Sequence, residues 1–574
     1  MLLLAPFLAA GEVKFPSAYP PTNEIVLDNR VPIKMRDGVT LYADIYRPSK
    51  PGKYPVLVSR TPYSTERAPS AYAAAVFFSQ RGYVYVYQDV RGRHESDGRW
   101  EPFRDDINDG YDTVEWAAAQ SWSNGKVGMD GGSYLGHVQW RAAQANPPHL
   151  VCIVPKVAST SIYHNWITLN GGWRLSFNFG WGPVRQESRI MQNTGPHTIP
   201  GVGGLHFDAM QRHLPLDTMQ QLAGRNAQFY RDWIAHPDYD EYWKPLNAEE
   251  MFDRIGVPVY TMGGWFDIFS QGTLNGYAGM SAKGKTETAR RGSRLLIGPW
   301  GHGASRKFGD LDFGDHANVD EDSAALRFFD FWLKGADDGL SKEPPVTLYV
   351  MGRNEWRQEN EYPLKRTQYR NLYFHDKRLA WDPPGDSAAP DRYRYDPMNP
   401  VPSLGGNNCC GTPTPAGPKD QRPLDVRGDI LTYTSGILEK EIEVTGPVKV
   451  VLYASSDAVD TDFVAKLIDV HPDGHAYNVA EGIVRARYRD GAQAAKLMEP
   501  GKVYEFTIDM VGTSNCFLKG HRMRVDVTSS HFPQFDRNPN TGEPFGRHAN
   551  TKVATQSVYR TRARASHIVL PVIP

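Results

Sequence analysis

Three stretches of the chain each place a side chain with catalytic chemistry directly after an apolar run. VGMDGGSYLG carries Ser133 among glycines, VPVYTMGGWFD ends in Asp267, and RLLIGPWGH ends in His302. A serine becomes a nucleophile when a neighbouring base removes its proton, and a histidine held by a carboxylate is the usual base. The three residue types together predict hydrolysis through an acyl-enzyme.

The stretch around Ser133 departs from the simplest form of its motif. A serine nucleophile between a strand and a helix commonly stands in GxSxG, with the acid and then the histidine later in the chain. Here Gly131 precedes Ser133 by two residues, but Leu135 follows by two and the glycine is displaced to Gly136. A tight turn that contains a serine, and a helix-capping Asp267, are the ordinary alternatives. The chain order and the shared position after strands favour the triad.

Two groups near Ser133 are candidates to stabilise the oxyanion that forms during acyl transfer. The backbone N–H of Tyr134 follows the nucleophile, which is the position that supplies one donor in α/β-hydrolases. A second donor is expected from the loop after an early strand, where the hydroxyl of Tyr63 stands in the sequence RTPY. A packed loop aromatic is the alternative for Tyr63, and spacing alone favours it.

The elements that must position these residues follow from the hydrophobic pattern. A hairpin at 24–48 precedes alternating strands and helices, which predicts a largely parallel α/β sheet. Short alternating runs in the last part of the chain are typical of a β-sandwich or jelly roll. The predicted units are the first part of an α/β-hydrolase core at 12–150, an inserted helical cap at 151–247, the second part of the core at 248–344, and a β jelly roll at 345–574.

Composition and charge exclude several classes of partner. The 574 residues carry 64 Lys and Arg against 65 Asp and Glu, so the net charge of −1 gives no support for nucleic-acid binding. No apolar run reaches the length of a membrane span. The opening MLLLAPFLAAGE resembles the end of a signal peptide without its basic region, which favours export over a cytoplasmic location.

The four cysteines predict no metal site. Cys152, Cys409, Cys410 and Cys516 match no zinc spacing. Cys152 lies in the apolar run VCIVP, where a packed thiol is expected. The adjacent pair Cys409 and Cys410 is unusual, and its partners stay unassigned.

Several stretches in combination resemble the CocE/NonD hydrolases, the group of cocaine esterases, α-amino-acid ester hydrolases and X-Pro dipeptidyl-peptidases. They are RTPY, QDVRGRHESDG, DGYDTVEWAAAQSWSNGKVGMDGGSYLG, GGWFD, GPWGH, RGDILTYTS and GHRMRVDVTSSHFPQFDRN. The resemblance covers nearly the whole chain. It implies an α/β-hydrolase domain with a helical cap, a C-terminal jelly roll, and dimers or larger homo-oligomers. It also implies that Ser133, Asp267 and His302 are the triad and that Tyr63 donates to the oxyanion.

The expected substrate is a small ester or amide with an apolar or aromatic acyl group, for which Trp166 and Phe269 are the candidate binding residues. Members of the family that act on α-amino acyl groups carry an acidic pair just after the catalytic aspartate, whereas this chain has Ile-Phe-Ser there. A buried ammonium without a carboxylate is costly to desolvate. Glu187 or Asp208 could supply the missing charge.

The sequence therefore predicts a serine carboxylesterase without a cofactor. An X-Pro dipeptidyl-peptidase or another aminoacyl hydrolase is the alternative among enzymes. A carbohydrate-binding or adhesion protein with an inactive hydrolase core is the alternative from another class, and the intact set of Ser133, Asp267, His302 and Tyr63 argues against it.

Overall fold

The architecture comes from a computed structural model. It describes Val13, Phe15 and residues 17–63, 69–182, 209–222, 227–410 and 414–574.

A mixed ten-stranded sheet organises the first part of the molecule. In space the strands run in the order β1-β2-β4-β3-β5-β6-β7-β8-β9-β10, and neighbours from β4 to β9 are parallel. The predicted hairpin and parallel sheet are confirmed. The strands are β1 (Ile25–Lys34), β2 (Thr40–Pro48), β3 (Tyr54–Thr61), β4 (Val84–Asp89), β5 (Ser123–Gly132), β6 (Leu150–Lys156), β7 (Tyr260–Gly264), β8 (Arg294–Gly298), β9 (Val346–Val350) and β10 (Glu355–Glu359).

Helices connect the parallel strands, as the alternation predicts. The longer ones are α1 (Pro69–Ser79), α2 (Asp106–Ala118), α3 (Tyr134–Gln144), α4 (Gln228–Ala235), α5 (Ser270–Lys283), α6 (Glu287–Gly292) and α7 (Glu321–Phe329). The N-cap of α7 is Asp320, whose carboxylate accepts from two backbone N–H groups, and not Asp322 as the pattern suggests. Asp322 instead contacts a lysine below the site.

The segment after β6 is built from short helical pieces. They are Ile162–Ile167, Leu175–Phe179, Leu216–Thr218, Met219–Leu222, α4, Lys244–Leu246, Ala248–Glu250 and Phe252–Arg254. Within the described residues of this segment, Thr168–Leu169 pairs antiparallel with Gly172–Trp173 in a short two-stranded ribbon. The segment contacts the C-terminal part in the loop after β19, since Ser176 N–H donates to the carbonyl of Pro533.

Two packed sheets form the C-terminal part. One has the order β12-β11-β21-β15-β20-β13, with β18 paired to β15, and the other has the order β14-β19-β16-β17. The strands are β11 (Gln368–Phe374), β12 (Leu379–Ala380), β13 (Asp391–Tyr395), β14 (Leu431–Thr434), β15 (Ile442–Ser456), β16 (Asp462–Val470), β17 (Ala476–Arg485), β18 (Tyr504–Phe517), β19 (Arg522–Thr528), β20 (Ala554–Val558) and β21 (His567–Ile573).

One strand lies in a different sheet from the one expected. The run VTLYVM, predicted to open the C-terminal β unit at 345, forms β9 and pairs parallel with β8 in the mixed sheet. All five residues of β9 are buried, because both faces of a central parallel strand are covered. An alternating pattern alone could not distinguish these two positions.

None of the helices in the described ranges combines the length and the apolar character that a bilayer-spanning segment needs.

Candidate active site

Ser133 lies on a strained turn between β5 and α3. Its φ of 61° and ψ of −123° are rare for a residue with a side chain. A Cβ added at Gly131 would lie 2.6 Å from the Cβ of Leu135, and one at Gly136 would lie 2.6 Å from the Cβ of Ala158. The two glycines therefore allow the elbow to pack closely. The second glycine stands at position 136 and not at 135 because it is Gly136 that packs against the backbone and side chains at Lys156 and Ala158.

A group of charges, with Lys156 and Asp130 largely buried and Asp322 partly exposed, lies beneath the elbow. The carbonyl of Lys156 accepts from Ser133 N–H at 2.9 Å. The ammonium of Lys156 lies 3.2 Å from Asp130 Oδ1 and 2.6 Å from Asp322 Oδ1. Burial alone would lower the pKa of Lys156, but the two carboxylates raise it above its ordinary value. The polar Asp130 at the end of an apolar strand is thus a partner of Lys156, and Tyr85 donates to its second oxygen at 3.1 Å.

Asp267 and His302 form a hydrogen-bonded pair at the same edge of the sheet. Nδ1 of His302 lies 2.7 Å from Oδ1 of Asp267. The Asp267 side chain is fully buried, whereas that of His302 keeps 21% of its surface exposed. The two loops come close because they follow adjacent parallel strands, and a Cβ at Gly264 would meet the carbonyl of Trp300 at 2.1 Å. This geometry fixes one imidazole nitrogen on the carboxylate.

Ser133 and the Asp267–His302 pair follow three parallel strands of the mixed sheet, at their carboxyl ends. Within the described part of the chain, the Ser133 hydroxyl forms no hydrogen bond to the His302 ring. Catalytic hydrogen bonds in unliganded enzymes are often long and tighten when substrate is bound. The arrangement therefore remains compatible with proton transfer between the two.

A chain of aromatic rings connects the elbow with the histidine. The ring of Phe103 lies 4.4 Å from that of Tyr134 and 4.9 Å from that of Trp166. Trp166 stacks on Phe269 at 4.5 Å, and the Phe269 ring is 5.6 Å from the His302 imidazole. The structure brings the two candidate binding residues together. Both side chains are fully buried.

Tyr134 is held firmly below the elbow. Its hydroxyl donates to Asp106 Oδ2 at 3.0 Å and accepts from Phe103 N–H at 3.2 Å. Asp106 in turn pairs with the buried Arg60 at 2.7 Å. Burial raises the pKa of Asp106, and Arg60 opposes that rise. Since Tyr134 begins α3, its own N–H belongs to the helix terminus and can donate outside the helix.

Tyr63 lies beside this network. Its ring is 6.4 Å from the ring of Tyr134, and its hydroxyl accepts from Trp181 Nε1 at 3.1 Å. Trp181 thus occupies one acceptor lone pair of the Tyr63 hydroxyl.

A loop from the C-terminal sheets reaches the site and carries a residue that the sequence did not indicate. The side-chain amide of Asn407 donates to the carbonyls of Trp265 and Asp267 at 2.9 Å each and lies 3.1 Å from Ser270 Oγ. Asn407 thus fixes the turn that carries the aspartate. The only sequence signal for Asn407 is the Gly-Gly-Asn-Asn run in a loop-rich stretch, and this run does not indicate which residues Asn407 contacts.

The same loop carries the cysteine pair that the sequence left unassigned. Cys409 and Cys410 are joined by a disulfide. Their sulfur atoms and a ring nitrogen of His302 all lie within 4.8 Å of one another. Cys152 is a free, buried thiol in β6, as predicted.

The acids that could hold a substrate amine are only partly described. Glu187 and Asp208 lie outside the described residues. Glu249 lies beside the Trp166 segment, where its Oε1 accepts from Thr160, Asn165 and Asn275 at 2.6 to 2.9 Å.

Comparison with known proteins finds relatives that match most of the chain. Residues 37–304 match the X-Pro dipeptidyl-peptidase (S15 family) model, and residues 338–569 match the X-Pro dipeptidyl-peptidase C-terminal non-catalytic domain model. A cocaine esterase from Rhodococcus sp. (strain MB1 Bresler) is 36% identical over 572 residues, which covers 95% of this chain and 98% of the relative. The chain belongs to the CocE/NonD family of serine hydrolases.

Two solved structures share the fold of nearly the whole chain. An aminopeptidase from a marine sediment archaeon, Thaumarchaeota archaeon, has a TM-score of 0.85 and 28% identity, and covers 98% of this chain and 99% of its own. An α-amino acid ester hydrolase has a TM-score of 0.83 and 28% identity, and covers 97% and 98%. The α/β-hydrolase domain and the all-β C-terminal part are thus shared with solved relatives.

Proposed function

We propose that this protein cleaves carboxylic esters with apolar or aromatic acyl groups through an acyl-enzyme on Ser133, with His302 as base and Asp267 as its partner. The observation that carries the proposal is the 2.7 Å contact between Asp267 and His302 at the sheet edge where Ser133 lies on its strained turn. An acyl-transfer triad needs these three groups in one place. The similarity to the Rhodococcus cocaine esterase supports ester hydrolysis as the reaction.

The reaction proceeds in two steps. Nε2 of His302 takes the Ser133 proton as Oγ attacks the ester carbon, and the resulting imidazolium returns a proton to the leaving alcohol. Asp267 holds the ring in the tautomer that leaves Nε2 free as a base. Water, activated by the same nitrogen, then releases the acid from Ser133.

Two donors stabilise the oxyanion in this proposal. The N–H of Tyr134 belongs to a residue fixed through Asp106, and the hydroxyl of Tyr63 supplies the second hydrogen bond. Removal of one such donor typically costs about 10²- to 10³-fold in kcat. A Tyr63→Phe variant should therefore lose turnover without a matching rise in KM.

The apolar preference rests on Trp166 and Phe269, which stack on each other next to His302. In this proposal the short helical pieces described after β6 act as a cap over the sheet edge, and the C-terminal jelly roll adds a wall through the Asn407 loop. An acyl group that enters beside His302 would contact aromatic carbon atoms. The sequence directly after Asp267 supplies no carboxylate.

One observation supports an aminoacyl substrate as a second candidate. Glu249 lies next to the Trp166 segment, bonded to neutral donors that an ammonium could replace. Two of the structural relatives are likewise named for aminoacyl substrates, one as an aminopeptidase and the other as an α-amino acid ester hydrolase. Glu249→Gln would then remove activity on amine-bearing substrates and leave activity on simple esters.

The test is a hydrolysis panel of p-nitrophenyl acetate, butyrate and benzoate, a glycyl-prolyl-p-nitroanilide and a phenylglycine methyl ester. Wild type should hydrolyse the simple esters, and Ser133→Ala should lose about 10⁶-fold in kcat. The exposed Ser341→Ala is the matched control and should keep the wild-type rate. Equal turnover by wild type and Ser133→Ala would contradict the proposal, and preference for the amine-bearing pair would select the second candidate.

A further inference from the structure

The loop that carries Cys409 and Cys410 is held on both sides of the site. Its base is closed by two backbone hydrogen bonds between Gly406 and Gly417. Asn407 ties it to the aspartate turn, and Asn408 donates to Gln534 at 2.9 Å. The two cysteines therefore occupy a defined position against the histidine.

A disulfide between neighbouring residues contributes little to folding by the usual route. Loop closure stabilises a fold by restricting the unfolded chain, and the effect grows with the length of chain enclosed. The Cys409–Cys410 bond encloses no intervening residue. Its position beside His302 needs another explanation.

The three side chains have the composition of a site for a thiophilic cation. Both sulfur atoms and a ring nitrogen of His302 lie within 4.8 Å of one another. Asp267 holds Nδ1 of His302, so that Nε2 is the nitrogen available to a ligand. A carboxylate on the far nitrogen is also the arrangement that orients metal-binding histidines. Thiolate and imidazole together favour zinc and softer divalent cations.

We propose that the dithiol form of Cys409 and Cys410 makes, with His302, a three-ligand site for a divalent cation of the zinc and cadmium type. The bound cation occupies Nε2 of His302 and stops hydrolysis, a consequence that rests on the proposed function. With the disulfide intact the sulfurs are not thiolates, and the protein does not bind the cation there. Cation sensitivity is thus coupled to the redox state of the pair.

The reduction that opens the site is balanced with a phosphine. The phosphorus attacks one sulfur and the S–S bond breaks. Water supplies the oxygen of the phosphine oxide and the two protons of the thiols, so that phosphorus loses two electrons and the disulfide gains them. Binding of the cation then releases the two thiol protons to the buffer.

The test measures Cd²⁺ binding without oxygen, after phosphine reduction and removal of the reductant. The readouts are the ultraviolet thiolate-to-cadmium absorption and equilibrium dialysis, and both are independent of turnover. Reduced wild type should bind one Cd²⁺, and the oxidised protein should lack this absorption. His302→Ala should bind at least about 100-fold more weakly, since loss of an outer-shell partner already costs about 10- to 100-fold.

Cys409→Ser/Cys410→Ser is the control for the remaining thiols, because it retains the buried Cys152 and Cys516. Absorption of equal strength in this variant, or none in reduced wild type, would overturn the proposal. Cys410→Ser alone should weaken binding and keeps the test valid if the double variant does not fold.

Ser133→Ala separates this proposal from the proposed function. It should bind Cd²⁺ as wild type does whether or not Ser133 is the nucleophile. Ester turnover of reduced wild type should fall with Cd²⁺ occupancy and recover when the cation is removed. Full occupancy without loss of Ser133-dependent turnover would contradict the inhibitory part.

Discussion

The two sides of the site are built in different ways. The elbow side is local, because Ser133, the glycines around it and the first turn of α3 come from one strand–turn–helix stretch. The histidine side joins segments that are far apart in the chain. Asp267 and His302 each follow a strand of the mixed sheet, whereas Asn407 lies in a loop of the C-terminal part.

This difference shows where function depends on local strain and where it depends on assembly of the two halves. Ser133 keeps a rare backbone conformation because close packing of small residues surrounds it. His302 keeps its orientation because the buried carboxylate of Asp267 binds its ring. Asn407 in addition fixes the loop that carries Asp267. Variants on the two sides should therefore fail differently.

The largest effect is expected on the histidine side, from Asp267→Asn. The amide presents a donor to Nδ1 and favours the wrong imidazole tautomer, so kcat should fall about 10⁴-fold with the fold retained. Steady-state kinetics on a p-nitrophenyl ester measures this. Asp473→Asn, at an exposed turn, is the control and should keep full activity. A loss below tenfold would argue against Asp267 as the partner of the base.

The elbow side should respond to Gly136→Ala through stability. The added methyl would lie 2.6 Å from the Cβ of Ala158, and such overpacking typically costs about 1 to 3 kcal/mol. Urea unfolding measures the change. Gly428→Ala, which meets no atom within 4 Å, is the matched control. If both variants unfold at the same urea concentration, close packing at the elbow is not what requires the glycine.

Asn407→Ala tests the link from the C-terminal sheets to the aspartate. Loss of its bonds frees the Asp267 turn, and a loss of about tenfold in kcat corresponds to about 1.4 kcal/mol, the size of one typical hydrogen bond. KM should change little, because Asn407 touches the turn and not the acyl side. Asn407→Asp, which keeps the size but turns carboxylate oxygens towards the two carbonyls, should show at least the same loss. Unchanged kcat in both would show that the loop is not needed for the dyad.

The smallest effect concerns the pH dependence of the elbow side. Burial lowers the pKa of His137 to about 3, and its Nδ1 donates to the Ser159 carbonyl. The unfolded chain takes up this proton near pH 6.5 and the folded chain does not, so stability is lost as pH falls below about 6.5. His137→Gln should reduce the loss between pH 7 and pH 6 by about 0.7 kcal/mol. An equal loss of unfolding free energy between pH 7 and pH 6 in His137→Gln and in wild type would contradict this.

Much of the elbow side can be predicted from sequence, because strand, turn and helix signals sit next to each other around Ser133. Asp267 and His302 can be paired by chain order at strand ends. Asn407 and the cysteine pair cannot, since their contacts join loops that only the packing of the two halves brings together. The strand β9 was placed in the wrong sheet for the same reason, because neighbours in a sheet are set by long-range pairing.

The central claim is that Ser133 is the nucleophile activated by His302. The most direct measurement is labelling with a p-nitrophenyl alkylphosphonate, followed by intact-mass and peptide mass spectrometry. The account predicts one phosphonyl group per chain on the peptide that contains Ser133, with one equivalent of p-nitrophenolate released, and none in Ser133→Ala. Stoichiometric labelling of another residue, or of Ser133→Ala, would contradict it.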